Sequence, residues 1–400
     1  MAHIAWLGKK SPFCGNVTYG LSTTEALRQR GHAVSFIHFD TPTTGLGLLE
    51  PARQEQERPD DSPAPGGGPD PDVALPYLVK SQVYTIPSPG AQRELRESLE
   101  RLRPDLVHAS LTLSPLDFRL PDLCQQLGLP LVATFHPAFD AGLRNLAAGT
   151  QQLTYQLYAP SLARYDRVIV FSELQAGVLE RLGVRPERIA VIPNGVDERV
   201  WKPCGPLPSP AYRELAERFA GRRVFLYMGR ITTEKNVEAL LRAWRLVRPQ
   251  GCVLLIVGDG PLRGLLQTNA EPDVIWWGLE ASLERRVALL QLAEVFLLPS
   301  LVEGLSLALL EAMASGTACV ATDAGADGQV LEGGAGIVIR TQGVTTQLRT
   351  LLPVLRDQPV LTAELGRRAR ERVQERYTLR RNIDALERLY TEVTQQPVAA

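Results

Sequence analysis

Two glutamates near the start of a predicted helix have a spacing that suits a binding site. An apolar run, Val295 to Leu298, predicts a buried strand, and the periodic segment from Leu305 to Ser315 predicts a helix. Glu303 lies in the loop between them, and Glu311 lies in the second turn of the helix. We therefore expect both carboxylates to face one pocket, one from the loop and one from the helix.

The loop that carries Glu303 also predicts an anion site. Gly304, Leu305 and Ser306 place backbone N–H groups at the N-terminal end of the helix, where the helix dipole favours negative charge. Two carboxylates beside a phosphate site fit a nucleotide sugar, because its hydroxyls can donate to the carboxylates while its diphosphate occupies the helix end. The competing interpretation is an ordinary strand-loop-helix unit with two solvated glutamates.

From Glu303 the sequence reads E-G-L-S-L-A-L-L-E-A-M-A-S-G-T-A-C-V-A-T-D. It resembles the Glu-seven-residues-Glu signature of retaining glycosyltransferases of family 4, which have the GT-B fold of two Rossmann-like domains. The resemblance implies that Glu303 is catalytic and holds the hydroxyls of the donor sugar and the positive charge that develops at its anomeric carbon. It implies that Glu311 binds the ribose of the nucleotide.

A second motif supplies cations. The strand Val224 to Met228 is followed by a loop with Arg230 and Lys235, and by an amphipathic helix from Glu234 to Val247. Positive side chains at the start of a helix are unfavourable by roughly 0.3–1 kcal/mol, so we expect an anion to compensate them. The alternative is a solvated face. M-G-R-I-T-T-E-K-N resembles the family's clamp, which implies that Arg230 and Lys235 bind the donor diphosphate.

A third motif follows the strand Cys252 to Val257, where Gly258, Asp259 and Gly260 form a predicted tight turn. The resemblance implies that this turn binds the donor, although Asp259 would serve equally as a helix N-cap. The family reads the nucleobase near Trp277, which would otherwise be a core residue. These three motifs occur in the order that the family requires.

The first half of the chain alternates short apolar strands with helical segments, which predicts a parallel sheet covered on both faces. The predicted strands are His3 to Leu7, Ala33 to Phe39, Leu106 to Ala109, Leu129 to Phe135, Arg167 to Phe171 and Ile189 to Ile192. The predicted helices are Val17 to Arg30, Ala91 to Arg103, Pro115 to Leu127 and Glu173 to Leu182. In the second half, we expect Asp327 to Val330 and Gly336 to Ile339 to complete a further sheet.

Candidate ligand-binding residues in the first half lie at predicted strand ends, where open parallel sheets bind ligands. Gly15 and Asn16 follow a glycine-flanked loop, and the resemblance implies that this loop faces the acceptor or the donor. His136 follows the strand that ends at Phe135, and the resemblance implies that it is a catalytic residue in contact with the donor sugar. A structural role in hydrogen bonding is the alternative for this histidine. I-P-N-G-V-D, which contains Asn194, is expected to line the cleft without a catalytic role.

Residues 41–76 depart from this alternation, because they contain eight prolines and five glycines in 36 residues. Such a composition cannot support a core, so we expect a mobile loop that is either a lid or a tolerated insertion. Asp70 and Asp72 formally match a metal-binding D-x-D pattern, but we discount it in this composition. We expect no metal and no other cofactor, because cations and a helix end already neutralise the diphosphate.

Taken together, the patterns predict an α/β chain of two Rossmann-like, doubly wound parallel-sheet domains that face a central cleft. The expected domains are an acceptor domain at 1–200, a nucleotide-sugar domain at 201–377, and a final helix at 378–396 that crosses back to the first domain. Within the family, G-K-K-S-P-F-C-G-N-V-T-Y-G and L-V-A-T-F-H-P-A-F-D look similar to enzymes of the cyanobacterial type that add galactose to a galactolipid, the digalactosyldiacylglycerol synthases.

Composition limits the classes of function. The 400 residues carry 43 basic and 44 acidic side chains, a net charge of −1, which gives no support for a nucleic-acid partner. The five cysteines match neither a disulfide framework nor a zinc site and suit a reducing cytosol. No apolar run approaches the ~18 residues that span a bilayer. We expect a cytoplasmic protein, in peripheral contact with the inner face of a membrane if its acceptor is a lipid.

The expected function is transfer of a hexose from a nucleotide-diphosphate sugar to a hydroxyl acceptor, either a glycolipid or a saccharide. A sugar-nucleotide epimerase or hydrolase with the same fold is one alternative, and it would turn over the donor alone. A non-catalytic nucleotide-sugar-binding subunit is another, although it would have no reason to keep Glu303.

Overall fold

The structure of the protein is a computed structural model that describes residues 1–11, 14–40, 72–81, 84–139, 145–268 and 271–395. Its contacts divide the chain into two compact units. Unit 1 comprises Met1–Thr134 together with the C-terminal residues from Glu392, and unit 2 comprises Phe135–Thr391.

Unit 1 alternates strands and helices as the sequence predicts. Its strands are β1 (His3–Gly8), β2 (Ala33–Phe39), β3 (Val73–Leu75), β4 (Tyr77–Lys80), β5 (Thr85–Pro87), β6 (Leu106–Ser110) and β7 (Leu131–Thr134). Its helices are α1 (Gly15–Gln29), α2 (Ala91–Leu102) and α3 (Leu120–Leu127). Parallel pairing gives the strand order β3-β2-β1-β6-β7, and β4 and β5 form an antiparallel ribbon.

Unit 2 contains a six-stranded parallel sheet in the order β12-β11-β10-β13-β14-β15, and a parallel pair, β8 and β9. Its strands are β8 (Arg167–Val170), β9 (Ile189–Val191), β10 (Arg223–Met228), β11 (Cys252–Val257), β12 (Val274–Gly278), β13 (Val295–Leu298), β14 (Ala318–Thr322) and β15 (Ile337–Ile339). Its helices are α4 (Leu146–Leu162), α5 (Glu173–Arg181), α6 (Pro210–Arg218), α7 (Val237–Val247), α8 (Arg263–Gln267), α9 (Leu283–Leu292), α10 (Leu307–Ala314), α11 (Asp327–Val330), α12 (Val344–Asp357), α13 (Pro359–Arg376) and α14 (Leu379–Gln395).

The burial of the central strands explains why the sequence forms this sheet. Every residue of β11 and of β13 is buried, which is the pattern of a parallel strand covered on both faces. Helix α7 turns Val237, Leu240 and Trp244 inward, and the Trp244 ring meets Phe225 of β10 edge-on at 5.4 Å between centroids. The carboxyl ends of these strands therefore meet at one edge, where the loops with the candidate residues begin.

The predicted fold class, two parallel-sheet α/β domains, is confirmed. Most strand boundaries agree to within two residues, and the bounds of β2, β11 and β13 are those predicted. The prediction that Asp327 to Val330 complete a sheet was wrong. These residues form the short helix α11, and the side chain of Asp327 is buried at its first position. The prediction was also wrong for the end of the 41–76 loop, since Val73 and Leu75 are buried in β3. Residues 41–71, including Asp70, lie outside the described residues.

The last helix is tied to the I-P-N-G-V-D segment within unit 2. Val196 pairs with Thr378 in an isolated parallel bridge, and Asn382 Nδ2 donates to the carbonyl of Pro193 at 2.7 Å. A Cβ at Gly195 would lie 2.5 Å from the carbonyl oxygen of Thr378, so this close approach requires glycine. The helix begins at Leu379, one residue after the predicted start at Thr378.

Candidate active site

Glu303 lies in the short loop between β13 and α10, and its carboxylate is almost fully buried. Its Oε1 accepts two hydrogen bonds, one from the Lys235 ammonium and one from Ser300 Oγ at 2.7 Å. Ser300 is itself fixed, because its carbonyl accepts from Thr322 Oγ1 at 2.6 Å. Among the described residues nothing bonds to Oε2, so one oxygen of this carboxylate remains available to a ligand.

Lys235 brings a positive charge to this buried carboxylate. It lies at the end of a 3-10 turn, Thr233–Lys235, which precedes α7, and its side chain is 17% exposed against 8% for Glu303. An ion pair in so little contact with water is screened weakly by salt. The sequence places these residues 68 positions apart, and the structure brings them together because both follow neighbouring parallel strands, β10 and β13.

The loop around Glu303 is anchored by the segment that follows Phe135. The Phe139 amide donates to the Glu303 carbonyl at 2.9 Å, and Asn145 Nδ2 donates to the Leu301 carbonyl at 3.1 Å. His136 belongs to the same segment. A Cβ at Gly304 would lie 3.5 Å from the His136 carbonyl, so the histidine backbone passes directly beside this loop.

The His136 ring is partly exposed and packs against Phe171 with 5.4 Å between the ring centroids. Asn194, the I-P-N-G-V-D residue, donates from Nδ2 to the Leu305 carbonyl at 2.9 Å. Asn194 is buried, and its side chain thus supports the loop, as expected for a residue with a structural role. The assignment of His136 to the donor sugar stays a prediction.

The segment after β14 holds the same loop from the other side. The Ala326 amide donates to the Gly304 carbonyl at 2.8 Å, and Asp327 Oδ1 accepts from the Ser306 amide at 2.9 Å. Gly325 has a φ of +56°, and a Cβ there would lie 2.0 Å from the Glu303 carbonyl oxygen. Only glycine fits this position.

The N-terminus of α10 is consequently only partly free. Ser306 caps the helix, because its Oγ accepts from the Leu309 amide at 3.3 Å, while its own amide is occupied by Asp327. The amides of Gly304 and Leu305 have no hydrogen-bond partner in the part of the chain that the structure describes. These two amides, together with the helix dipole, are available to an anion.

Glu311 lies on the second turn of α10 and is buried. Burial raises its pKa from 4.5 to about 7, and the positive charge of Arg286 opposes that shift. A carboxyl group in this environment changes its charge near neutral pH. It can accept a hydrogen bond from a ligand hydroxyl when ionised, or donate one when protonated.

Arg230 is less tightly held than Lys235. Its guanidinium forms an ion pair with Glu234 at 3.2 Å, and both side chains are about one-third exposed. The Arg230 carbonyl accepts from the buried hydroxyl of Tyr227, which fixes the backbone of the loop rather than the guanidinium. In the described residues each candidate clamp cation therefore has a glutamate partner.

The turn at Gly258 packs against the loop after β10, backbone to backbone. A Cβ at Gly258 would lie 1.9 Å from the Gly229 carbonyl oxygen, and a Cβ at Gly260 would lie 2.4 Å from that of Ile231. The Ile231 amide also donates to the Asp259 carbonyl at 2.9 Å. The two glycines therefore allow the two ligand-facing loops predicted from the sequence to lie in direct contact.

Asp259 and Trp277, which were expected to contact the donor, both contact other residues of the protein. The Asp259 carboxylate is more than half exposed and accepts from the Gly260 amide at 2.8 Å. Trp277 donates from Nε1 to Glu280 at 3.0 Å, and its ring lies under the guanidinium groups of Arg218 and Arg285. Contact of either residue with the donor stays a prediction.

Gly15 and Asn16 belong to unit 1, where they begin α1. Asn16 Nδ2 donates to the Leu111 carbonyl at 3.1 Å, and its Oδ1 accepts from Ser110 Oγ at 3.0 Å. Among the described residues, a Cβ at Gly15 would meet no atom within 4 Å.

Sequence reasoning missed Ser300, Phe139 and Asp327. Ser300 directly follows the proline that ends the predicted strand, and this position was the one available signal. The other two act on the loop from 164 residues before and 24 residues after Glu303, and a single sequence carries no sign of such pairings. In the described ranges, no three His, Cys, Asp or Glu side chains are grouped as metal ligands, and no helix is long and apolar enough to span a membrane. Asp72 pairs with Lys10.

Comparison with known proteins agrees with the motifs. Residues 15–200 match the family described as Glycosyltransferase Family 4, and residues 222–357 match the family described as Glycosyl transferases group 1. A putative glycosyltransferase of Bacillus subtilis, EpsF, is 31% identical over 52% of this chain and 55% of its own length. An Escherichia coli enzyme named UDP-Gal:alpha-D-GlcNAc-diphosphoundecaprenol alpha-1,3-galactosyltransferase is 26% identical over 54% of this chain and 57% of its own length.

The chain thus spans about half the length of these two curated relatives. Among solved structures, HepE of Anabaena in complex with UDP-glucose is similar over 98% of this chain and 100% of its own, with a TM-score of 0.72 and 17% identity. This likeness concerns the fold. The chain therefore combines a Glycosyltransferase Family 4 region with a Glycosyl transferases group 1 region, on the GT-B fold of glycosyltransferases.

Proposed function

We propose that this protein is a retaining glycosyltransferase that moves a hexose from a nucleotide-diphosphate sugar to a hydroxyl group of an acceptor. The observation that carries the proposal is the Glu303 carboxylate, which is buried, oriented through Oε1 by Lys235 and Ser300, and open at Oε2. A carboxylate with one fixed and one open oxygen suits a ligand rich in hydroxyl groups.

The reaction breaks the bond between the anomeric carbon of the donor and the oxygen of its diphosphate. A new bond forms between that carbon and the acceptor oxygen, and the acceptor proton passes to the departing nucleoside diphosphate. Lys235 and Arg230 bind the diphosphate and stabilise the charge that accumulates on it. Glu303 holds sugar hydroxyls and the positive charge that develops at the anomeric carbon.

The remaining candidates bind the rest of the donor and the acceptor. Glu311 binds the ribose, and Trp277 lies near the nucleobase. The turn with Gly258, Asp259 and Gly260 supports the diphosphate loop. His136 contacts the transferred sugar.

In unit 1, Gly15 and Asn16 face the acceptor. The fixed side chain of Asn16 and the lack of any described atom within 4 Å of a Cβ at Gly15 support that role.

If the acceptor attacks the same face of the anomeric carbon from which the diphosphate departs, the anomeric configuration is retained. In that arrangement the departing diphosphate can also accept the proton of the acceptor. The site offers cations and amides for the leaving diphosphate, namely Lys235, Arg230 and the amides of Gly304 and Leu305. With this neutralisation in place we expect the reaction to proceed without a divalent cation.

We take a lipid-linked sugar as the acceptor class. The Escherichia coli relative acts on a diphosphoundecaprenol-linked sugar according to its name, and two segments of the sequence, residues 8–20 and 131–140, resemble galactolipid synthases. A glycolipid acceptor would require the protein to work in peripheral contact with a membrane surface.

The test is a transfer assay with the purified protein. UDP-glucose and UDP-galactose are each supplied with and without diacylglycerol and monogalactosyldiacylglycerol in mixed micelles, and UDP release and product anomer are recorded. Acceptor-dependent UDP release with an α-linked product supports the proposal. Donor consumption without acceptor indicates the hydrolase or epimerase, and saturable UDP binding without turnover of any donor indicates a binding subunit.

A further inference from the structure

Glu303 is held by more than its own loop, and the second support is the segment Gly325–Asp327. Gly325 lies so close to the Glu303 carbonyl that no side chain fits there, and Ala326 donates its amide to the Gly304 carbonyl. Asp327 completes the contact through its hydrogen bond to the Ser306 amide at 2.9 Å. The three successive residues 325–327 thus contact Glu303, Gly304 and Ser306 of the loop.

Asp327 differs from an ordinary capping residue. Its side chain is completely buried, and Oδ2 has no hydrogen-bond partner among the described residues. Burial first, and the charge of Glu303 second, raise the pKa of this carboxyl well above its usual value, while Ser306 and Lys235 oppose the shift.

We propose that Asp327 is a positioning residue for the transfer reaction, because its bond to the Ser306 amide fixes the loop that presents Glu303 to the donor. The inference rests on the proposed function of Glu303. It assigns Asp327 no contact with the donor, because its side chain has no surface accessible to a ligand.

The bond to Ser306 also sets the direction of the helix start. Ser306 is the N-cap of α10, so the residue that orients its amide also orients the first turn and the free amides of Gly304 and Leu305. Without this bond the Glu303 carboxylate is still present, but we expect its side chain to adopt several orientations. A misplacement of about 1 Å at a reacting centre costs about 100-fold in rate.

The first experiment compares Asp327→Ala with Asp327→Asn. The asparagine keeps an oxygen that accepts from the Ser306 amide, whereas the alanine does not. We expect Asp327→Ala to lower kcat at least tenfold with the KM for the donor changed less than threefold, and Asp327→Asn to recover most of that loss. Asp117→Ala is the matched control, because Asp117 is also a buried aspartate that accepts from a backbone amide, that of Ser114 at 2.9 Å, but in unit 1.

A double-mutant cycle tests whether Asp327 acts through Glu303. In a Glu303→Gln background, Asp327→Ala should lower the residual kcat less than twofold. Full additivity of the two losses would overturn the proposal, as would a kcat per folded molecule that Asp327→Ala leaves unchanged while the melting temperature falls.

A measurement that requires no turnover separates this inference from the proposed function. Hydrogen exchange of peptides that cover residues 303–309 should accelerate at least tenfold in Asp327→Ala and remain near the wild-type rate in Asp327→Asn. Unchanged exchange in Asp327→Ala would overturn the positioning role even in a protein without transferase activity. Absence of turnover in the wild type, with accelerated exchange in the variant, would instead remove the proposed function alone.

Discussion

Lys235 and Glu303 form an ion pair that is largely shielded from water and lies at the ends of two adjacent strands of one sheet. Lys235 therefore has two roles. Its ammonium group holds the Glu303 carboxylate, and we propose that the same group binds the donor diphosphate. The donor must therefore share or displace this contact when it binds. Removal of either partner leaves a buried charge without its counterion, which is costly.

Lys235→Ala should weaken both steps of the reaction. We expect the dissociation constant for UDP to rise about 10- to 150-fold, which corresponds to a loss of roughly 1.5–3 kcal/mol for a charge-assisted contact. We also expect kcat to fall, because Glu303 loses one of its two fixed hydrogen bonds. Calorimetric titration with UDP gives the first quantity, and initial rates at saturating donor give the second.

Arg242→Ala provides the control for this variant, since Arg242 forms an exposed helix ion pair with Glu238 in the neighbouring helix α7. Its UDP affinity should match that of the wild type. An unchanged dissociation constant in Lys235→Ala would remove this lysine from the diphosphate site.

The two glutamates should have separable effects. Glu303→Gln should lower kcat roughly 10²–10³-fold with UDP affinity little changed, because the carboxylate charge acts on the transition state. Glu311→Gln should chiefly raise the dissociation constant for UDP. Steady-state kinetics and equilibrium binding on both variants distinguish the roles. If both variants kept normal turnover and lost only thermal stability, the carboxylates would be structural and the transferase assignment would fail.

Stability should depend on pH through Glu311. Its pKa is raised to about 7 in the folded protein from 4.5, so folding favours the protonated form. The contribution is fully present below pH 4.5 and is lost as the pH rises through about 7, with an upper limit of roughly 3 kcal/mol. Denaturant unfolding at pH 5 and pH 8 should show the loss in the wild type.

Glu311→Gln isolates this effect, because glutamine does not titrate. The difference in unfolding free energy between wild type and variant should change in favour of the variant as the pH rises from 5 to 8. The pKa of Asp327 is also raised in the folded protein, so Asp327 contributes a fall of the same sign as the pH rises in both proteins, and the subtraction cancels it. A difference that is constant with pH would mean that Glu311 is ionised throughout.

The contact between Gly258 and the Gly229 carbonyl should tolerate no side chain. Gly258→Ala adds a Cβ 1.9 Å from that oxygen at a φ of +135°, so we expect a loss of roughly 3 kcal/mol in unfolding free energy. Gly264→Ala, in helix α8, is the control, because its Cβ would meet no atom of the described residues within 4 Å. Its unfolding free energy should be unchanged or up to roughly 1 kcal/mol higher. Equal melting temperatures for the two variants would contradict the predicted packing.

Chelation should leave the reaction intact. With 5 mM EDTA added, we expect the rate of UDP release to stay within twofold of the untreated rate, since protein cations stabilise the leaving group. Loss of activity in EDTA that Mg²⁺ or Mn²⁺ restores would contradict this. Asp72→Asn would then test the D-x-D pattern that the sequence analysis discounts.

The sequence predicts the strands of this fold better than its helices. A buried parallel strand is a continuous apolar run between turn residues, so Cys252–Val257 and Val295–Leu298 could be located to the residue. Helix α4 at Leu146–Leu162 was not predicted, because it lacks a strong apolar stripe and contains Pro160. Short segments are ambiguous because they are too short to show an apolar stripe, as the four-residue helix at Asp327–Val330 demonstrates.

The site could be predicted in part. That Lys235 and Glu303 would lie near each other follows from the rule that loops at the carboxyl ends of parallel strands meet. Which groups hold the loop could not be derived, because the contacts of Phe139 and Asp327 with it depend on how distant segments pack. Periodicity reports which face of an element is buried, but it does not report which neighbour covers that face.

The bridge between Val196 and Thr378 brings together two points that are 182 residues apart in the chain. The two ends of the intervening chain therefore lie next to each other. A permuted gene that joins residue 377 to residue 197 through a short linker, with new termini in an exposed loop, would connect neighbouring atoms. The body that this gene encodes would carry Glu303, Lys235 and Glu311 without Phe139, Asn145 and Asn194, so its affinity for a nucleotide would report how much these outside contacts contribute to the site.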